Sequence, residues 1–176
     1  GPPYYKIELD LASSAFFSNK DTRQRALRIT GRWGYSEDTK AAGALAEADD
    51  GIETELNVTD ASLIGVGDTI LIGTEQMFVS AKGSLDTTAN TAGALIASMP
   101  EVTVPVDTGT LVKAGEIILI DSERMLVESI SSNNLTVIRA YDGSTLATHA
   151  NPTDVYAYRT LTVVRAVNGT TAATHS

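Results

Sequence analysis

"LTVIRAYDGSTLATHA" runs from Leu135 to Ala150, and "LTVVRAVNGTTAATHS" runs from Leu161 to Ser176. The two stretches align without a gap at an offset of 26, and each contains one of the chain's 2 histidines, His149 and His175. "LTVIRA" and "LTVVRA" alternate as strands do and carry Arg139 and Arg165 next to their ends. Asp142-Gly143 and Asn168-Gly169 follow, pairs that turn a chain because both residue types tolerate positive φ. The histidine then closes a short loop. Its ring can donate one hydrogen bond and accept another, so it reads as a fastener that pins a duplicated loop to the strand below. A metal centre would need both histidines to converge with carboxylates. Asp142 is the nearby acid in the first copy, and Asn168 replaces it in the second.

Upstream lies a second duplication, "LNVTDASLIGVGDTILIGTEQMFV" (56–79) against "VPVDTGTLVKAGEIILIDSERMLV" (104–127), at an offset of 48. Gly67 and Gly115 make a turn, followed by Asp68 or Glu116. "TILI" and "IILI" are β-branched runs of strand length. "GT" (73–74) and "DS" (121–122) are two-residue hairpin signals. In the return strands Glu75, Met77 and Val79 share one face, as do Glu123, Met125 and Val127. The repeated glutamate invites an acid/base role. With no histidine or second carboxylate beside it in sequence, it is read instead as a hairpin residue bonding neighbouring backbone.

The chain has 176 residues, 43% hydrophobic, and no cysteine, which excludes disulfides and thiolate chemistry. It has no apolar run long enough for a membrane helix and no signal-peptide pattern. The net charge of −9 is uneven: residues 1–47 carry +1, and the rest carry −10. An acidic body argues against nucleic acid as a partner. The local basic cluster Lys20, Arg23, Arg25, Arg28 and Arg32 is a candidate interface toward an acidic partner, including another copy of the chain.

Residues 1–47 read as an N-terminal β segment, with strands at 4–10 and 25–35, and a linker over 36–50 whose helix-like composition is broken by Gly43. Residues 48–176 read as the duplicated hairpin region. "LDTTANTAGALIASMP" (85–100) reads as a loop inserted between copies. Asn57, Asn134 and Asn168 head N-x-[ST] triplets in strands or tight turns and are read as chance. "DDGIETE" (49–55) has oxygen ligands without calcium-loop spacing. No G-x-S-x-G, GxGxxG, P-loop or HExxH motif is present. No catalytic, cofactor-binding or metal residue is expected, and no cofactor. The fold expected is all-β, with small barrel- or sandwich-like modules built from repeated hairpins.

The pattern G-D-x-I-x-I-x-x-E-x-M-x-V followed by L-T-V-x-R-A-x-x-G-x-x-x-A-T-H resembles a β-rich module of tailed-bacteriophage virion structural proteins. Gly67–Val79 and Gly115–Val127 carry the first part, and Leu135–His149 and Leu161–His175 carry the second. "ALRITGRWGYSEDT" is similar to a segment upstream of such modules in connector-like and tail-associated proteins, so the resemblance covers roughly 25–176. The family's Arg-Gly is Arg139-Ala140 and Arg165-Ala166 here, a mild change on sequence grounds. The resemblance implies a non-enzymatic structural subunit of a phage particle, at the tail, neck or capsid exterior. It would assemble in the host cytoplasm with copies of itself and other virion proteins. It also implies a short strand after each histidine. "NPTDVYAY" (151–158) supplies one, and an open sheet edge filled by "YYKIELD" (4–10) of the same or a neighbouring subunit is expected after the second. The rival reading is a secreted or particle-displayed binding module for carbohydrate, using Tyr141, Tyr156 and Tyr158.

Overall fold

The computed structural model describes residues 39–99 and 102–176, and the compact unit it resolves begins at Lys40. The strands expected at 4–10 and 25–35 and the cluster Lys20–Arg32 lie outside the described residues. Among the described residues the fold is all-β: an antiparallel sheet of eight strands that is not closed into a barrel. The strands are β1 (Glu55–Asn57), β2 (Thr69–Ile72), β3 (Glu75–Asn90), β4 (Thr103–Pro105), β5 (Ile117–Ile120), β6 (Glu123–Ser131), β7 (Asn134–Ile138) and β8 (Asp154–Val164). They lie in the order β2-β3-β8-β5-β6-β7-β4, with β1 also pairing to β8.

Both expected hairpins form, β2–β3 turning on Gly73-Thr74 and β5–β6 on Asp121-Ser122. Gly73 and Asp121 both have positive φ, 57° and 51°. Alternation then sorts the return strands as the sequence implies. Glu75, Met77 and Val79 are buried, and so are Glu123, Met125 and Val127.

The register reveals how the two copies are arranged. Phe78, Val79 and Ala81 pair with Val164, Val163 and Thr162, and Leu126, Val127 and Ser129 pair with Ile138, Val137 and Thr136. Each ladder skips a residue at the same place, before Ala81 and before Ser129. β1 lies on β8 as β4 lies on β7. In the second copy β6 and β7 are joined by the tight turn Ser132-Asn133. In the first copy the equivalent strands are the start of β3 and the end of β8, and residues 84–158 intervene. One unit is thus inserted into the turn of the other. An inner unit (84–158) hangs from an outer unit (44–83 and 159–176) by two antiparallel strands, Leu85–Asn90 and Asp154–Ala157.

Each unit has its own core. Leu56, Val58, Met77, Val79, Leu161 and Val163 pack in the outer unit. Ile118, Ile120, Met125, Leu135, Val137 and Val155 are among those that pack in the inner one. Full burial of such side chains contributes roughly 1.5–3 kcal/mol apiece. Between the cores, Glu116 takes both the Nε (2.6 Å) and Nη2 (2.7 Å) of Arg159 and accepts from the Ala61 amide at 3.2 Å. Lys82 caps the same junction, donating to the carbonyls of Ala61 and Ile64.

Two expectations are corrected. Residues 85–100 are not an inserted loop: β3 runs through Asn90, and Thr91 and Leu95 bridge to Val106 and His149. Nor is the described part of 36–50 an unpaired linker. It contains no helix, and Leu45 and Asp49 bridge to Val58 and His175. Those bridges make Leu45 the counterpart of Thr91, and Asp49 the counterpart of Leu95. "AGAL" at 42–45 and again at 92–95 therefore marks a similarity of letters, not of position.

Candidate functional site

The buried polar groups concentrate in two copies of one latch. In the inner unit, Glu123 opens β6 beside the hairpin turn and is fully buried. Its Oε1 accepts from Arg139 Nε (2.8 Å) and the Ala140 amide (2.9 Å). Its Oε2 accepts from Arg139 Nη2 (2.9 Å), the Ala147 amide (3.0 Å) and His149 Nε2 (2.9 Å). Arg139 also donates to the carbonyls of Ile96 and Ala147. The outer unit repeats this atom for atom. Glu75 Oε1 takes Arg165 Nε and the Ala166 amide, both at 3.1 Å. Its Oε2 takes Arg165 Nη2 (2.6 Å), the Ala173 amide (3.0 Å) and His175 Nε2 (3.0 Å).

Burial alone would raise the pKa of each glutamate. The hydrogen bonds from arginine, histidine and two amides outweigh it and hold both carboxyls at about 2. Each is therefore an ionised acceptor whose lone pairs are already engaged. The histidines stay apart, one per latch, and do not converge on a common ion. The sequence reading that the repeated glutamate has no histidine beside it is corrected. Each glutamate bonds one, at separations of 26 and 100 residues, and it bonds backbone amides as expected. Both histidines do fasten their loops.

The loop backbone depends on left-handed residues. Ala140 and Ala166 both sit at φ 51°, directly after the latch arginine. Glycine would adopt this backbone freely, so alanine there is strained rather than a mild change. Asp142 and Asn168 follow at φ 52° and 58°, then Gly143 and Gly169 at 74° and 81°. Gly67 and Gly115 turn the chain ahead of β2 and β5 at φ 103° and 92°. Met77 and Met125 sit wholly in the two cores.

The copies differ at their rims. His149 Nδ1 faces Asp121 Oδ2 at 2.7 Å. The matching residue, Gly73, offers His175 no side chain, and a Cβ there would lie 3.6 Å from the ring. The outer latch instead recruits Asp49, whose Oδ1 takes Arg165 Nη1 at 2.7 Å. Arg124 pairs with Asp142 where Gln76 bonds Asn168. Sequence inspection missed Asp49. Its only signal was an acid at a position whose counterpart is apolar, visible once register is known.

Compared with known family models, curated proteins and solved structures, the chain matches none. Beside the inner latch, a shallow recess of about 270 Å³ is lined by Ser84, Leu119, Asp121, Thr153, Asp154 and Tyr156. Tyr158 packs under the Arg124 guanidinium, 5.9 Å from its ring centre.

Proposed function

We propose that the chain is a non-enzymatic structural subunit of a phage particle, at the tail, neck or capsid exterior, acting by symmetric self-assembly. The observation that carries this reading is the duplicated latch. The groups best suited to chemistry, Glu75, Glu123, Arg139, Arg165, His149 and His175, are engaged in closing loops. The motif residues that resemble the phage module are these same residues. Such a unit is a stiff building block, and modest contacts between stiff copies are multiplied by symmetry.

The sheet itself offers a contact. β5 is flanked by β6 on one side and by Val155–Ala157 of β8 on the other. Its counterpart β2 pairs, among the described residues, with β3 alone, and Leu71 on it is 60% exposed. The inner unit thus displays the kind of occupant that fits the outer edge: a short extended strand. The segment 4–10 of a neighbouring subunit is our candidate, with the basic residues 20–32 facing an acidic body.

Electron microscopy and light scattering on the same purified sample test the reading. Rings, tubes or lattices are expected, weakened by deleting residues 1–10 or by Arg25→Glu with Arg28→Glu. A uniform monomer at high concentration, alone and with its particle's neighbouring proteins, would overturn it. The carbohydrate reading has one observation in its favour, the recess where Tyr156 lies beside two aspartates and two hydroxyls. A glycan array that lights up, and goes dark with Tyr156→Ala, would put that reading first.

A further inference from the structure

The two units share a backbone plan, so a residue in one that its counterpart lacks is not required by the plan. The turn after Leu45 shows the largest such difference. Asp49, Asp50 and Glu53 place one carboxylate oxygen each within 4.8 Å of one another. At the counterparts of Asp49 and Asp50 the inner unit has Leu95 and Ile96, and Met99 lies just beyond. Arg139 donates to the Ile96 carbonyl there.

Asp49 is also incompletely used. Its side chain is 1% exposed. Oδ1 accepts from Arg165 and the Gly51 amide, while Oδ2 is buried with no hydrogen-bond partner. Leaving a buried charged oxygen unpaired is costly. Arg165 does not neutralise the turn, because it is shared with Glu75. Asp50 and Glu53 then add two exposed carboxylates. An assembly of hard oxygen atoms at this spacing, with excess negative charge and one buried oxygen unclaimed, suits a hard cation with flexible geometry.

We propose that Asp49, Asp50 and Glu53 form a binding site for a divalent cation of the calcium class in the outer unit. The ion satisfies Asp49 Oδ2 and ties the turn to the latch through Asp49 and Arg165. The proposal is independent of the phage reading. Sequence spacing alone did not point to it, because the ligands sit on a latch-bound turn rather than a helix–loop–helix.

Equilibrium dialysis of the full chain against radioactive calcium tests it, with a thermal melt on the same samples. One ion per chain is expected, with affinity in the range of about 0.1–1 mM found for weak, extracellular-type calcium modules. Melting should rise with calcium. Asp50→Asn with Glu53→Gln leaves the Arg165 latch intact and should weaken binding at least tenfold and abolish the rise. Asp121→Asn, an acid of the inner latch, should leave binding unchanged. Absence of binding at 10-fold the upper affinity, or equal binding by the double variant, would overturn the proposal.

Discussion

Glu75 and Glu123 make the same five contacts in two copies of one latch, yet Glu123 closes on an arginine 16 residues away and Glu75 on one 90 residues away. The first closure is local and the second waits for the whole inner unit. Loop-closure entropy makes distant contacts slower to form. The inner unit should therefore fold first and independently. A chain ending at residue 158 should retain slow amide exchange in β5, β6 and β7 and lose it in β2. Uniform loss across both units would show that they fold only together.

Removing the charge of either latch glutamate leaves an arginine almost without solvent and without its carboxylate. Breaking a buried pair from one side destabilises by about 3–5 kcal/mol. Glu123→Gln and Glu75→Gln should thus each lower stability by up to about that amount in urea unfolding.

Acid should act through the same two groups. Both glutamates have folded pKa values of about 2, below their ordinary 4.5. A depressed carboxyl stabilises fully above its unfolded pKa and loses that contribution as pH falls through the folded one. Melting temperature should be flat near neutrality and fall between about pH 4.5 and pH 2. The fall should be shallower in the two glutamine variants. An identical acid limb in all three proteins would remove the latches as its source.

Ala140 and Ala166 hold left-handed backbone that disfavours a Cβ by about 1–2 kcal/mol. Glycine relieves this and gives part of it back as unfolded-chain entropy. Ala140→Gly and Ala166→Gly should each stabilise by about 0.5–1 kcal/mol. Destabilisation by either would mean that the methyl groups pack usefully.

Gly109 is the converse case. A Cβ on it would lie 2.2 Å from the Ser132 carbonyl oxygen, in the tight turn of the inner unit. Its outer counterpart is Ala61, where the turn is opened by the insertion and a methyl fits. Gly109→Ala should cost about 1–3 kcal/mol or more through overpacking, measured by thermal melt, whereas Ala61→Gly should have a far smaller effect.

The hairpins, the buried Glu-Met-Val faces and the histidine fasteners were legible because each is local and repeats without gaps. The latch pairing was not. Nothing along the chain marks Glu75 as the partner of a residue 100 positions on. The strand 85–90 was hidden because Asp86, Thr87, Thr88 and Asn90 read as loop composition. They lie on strands that link two units, where Thr87 is buried by bonding the Val155 carbonyl rather than by being apolar. Asp49 escaped notice because its role depends on register, which two "AGAL" stretches disguise.

The insertion point has a geometric meaning of its own. A unit whose two connecting strands run side by side can be grafted wherever a hairpin turns, and the outer unit accepted its guest at such a turn. The guest carries the same turn, intact, at Ser132-Asn133. The fold is thus recursive: a third unit could be seated in the second as the second is in the first. Such a series would lengthen the sheet by fixed increments without disturbing any latch already closed.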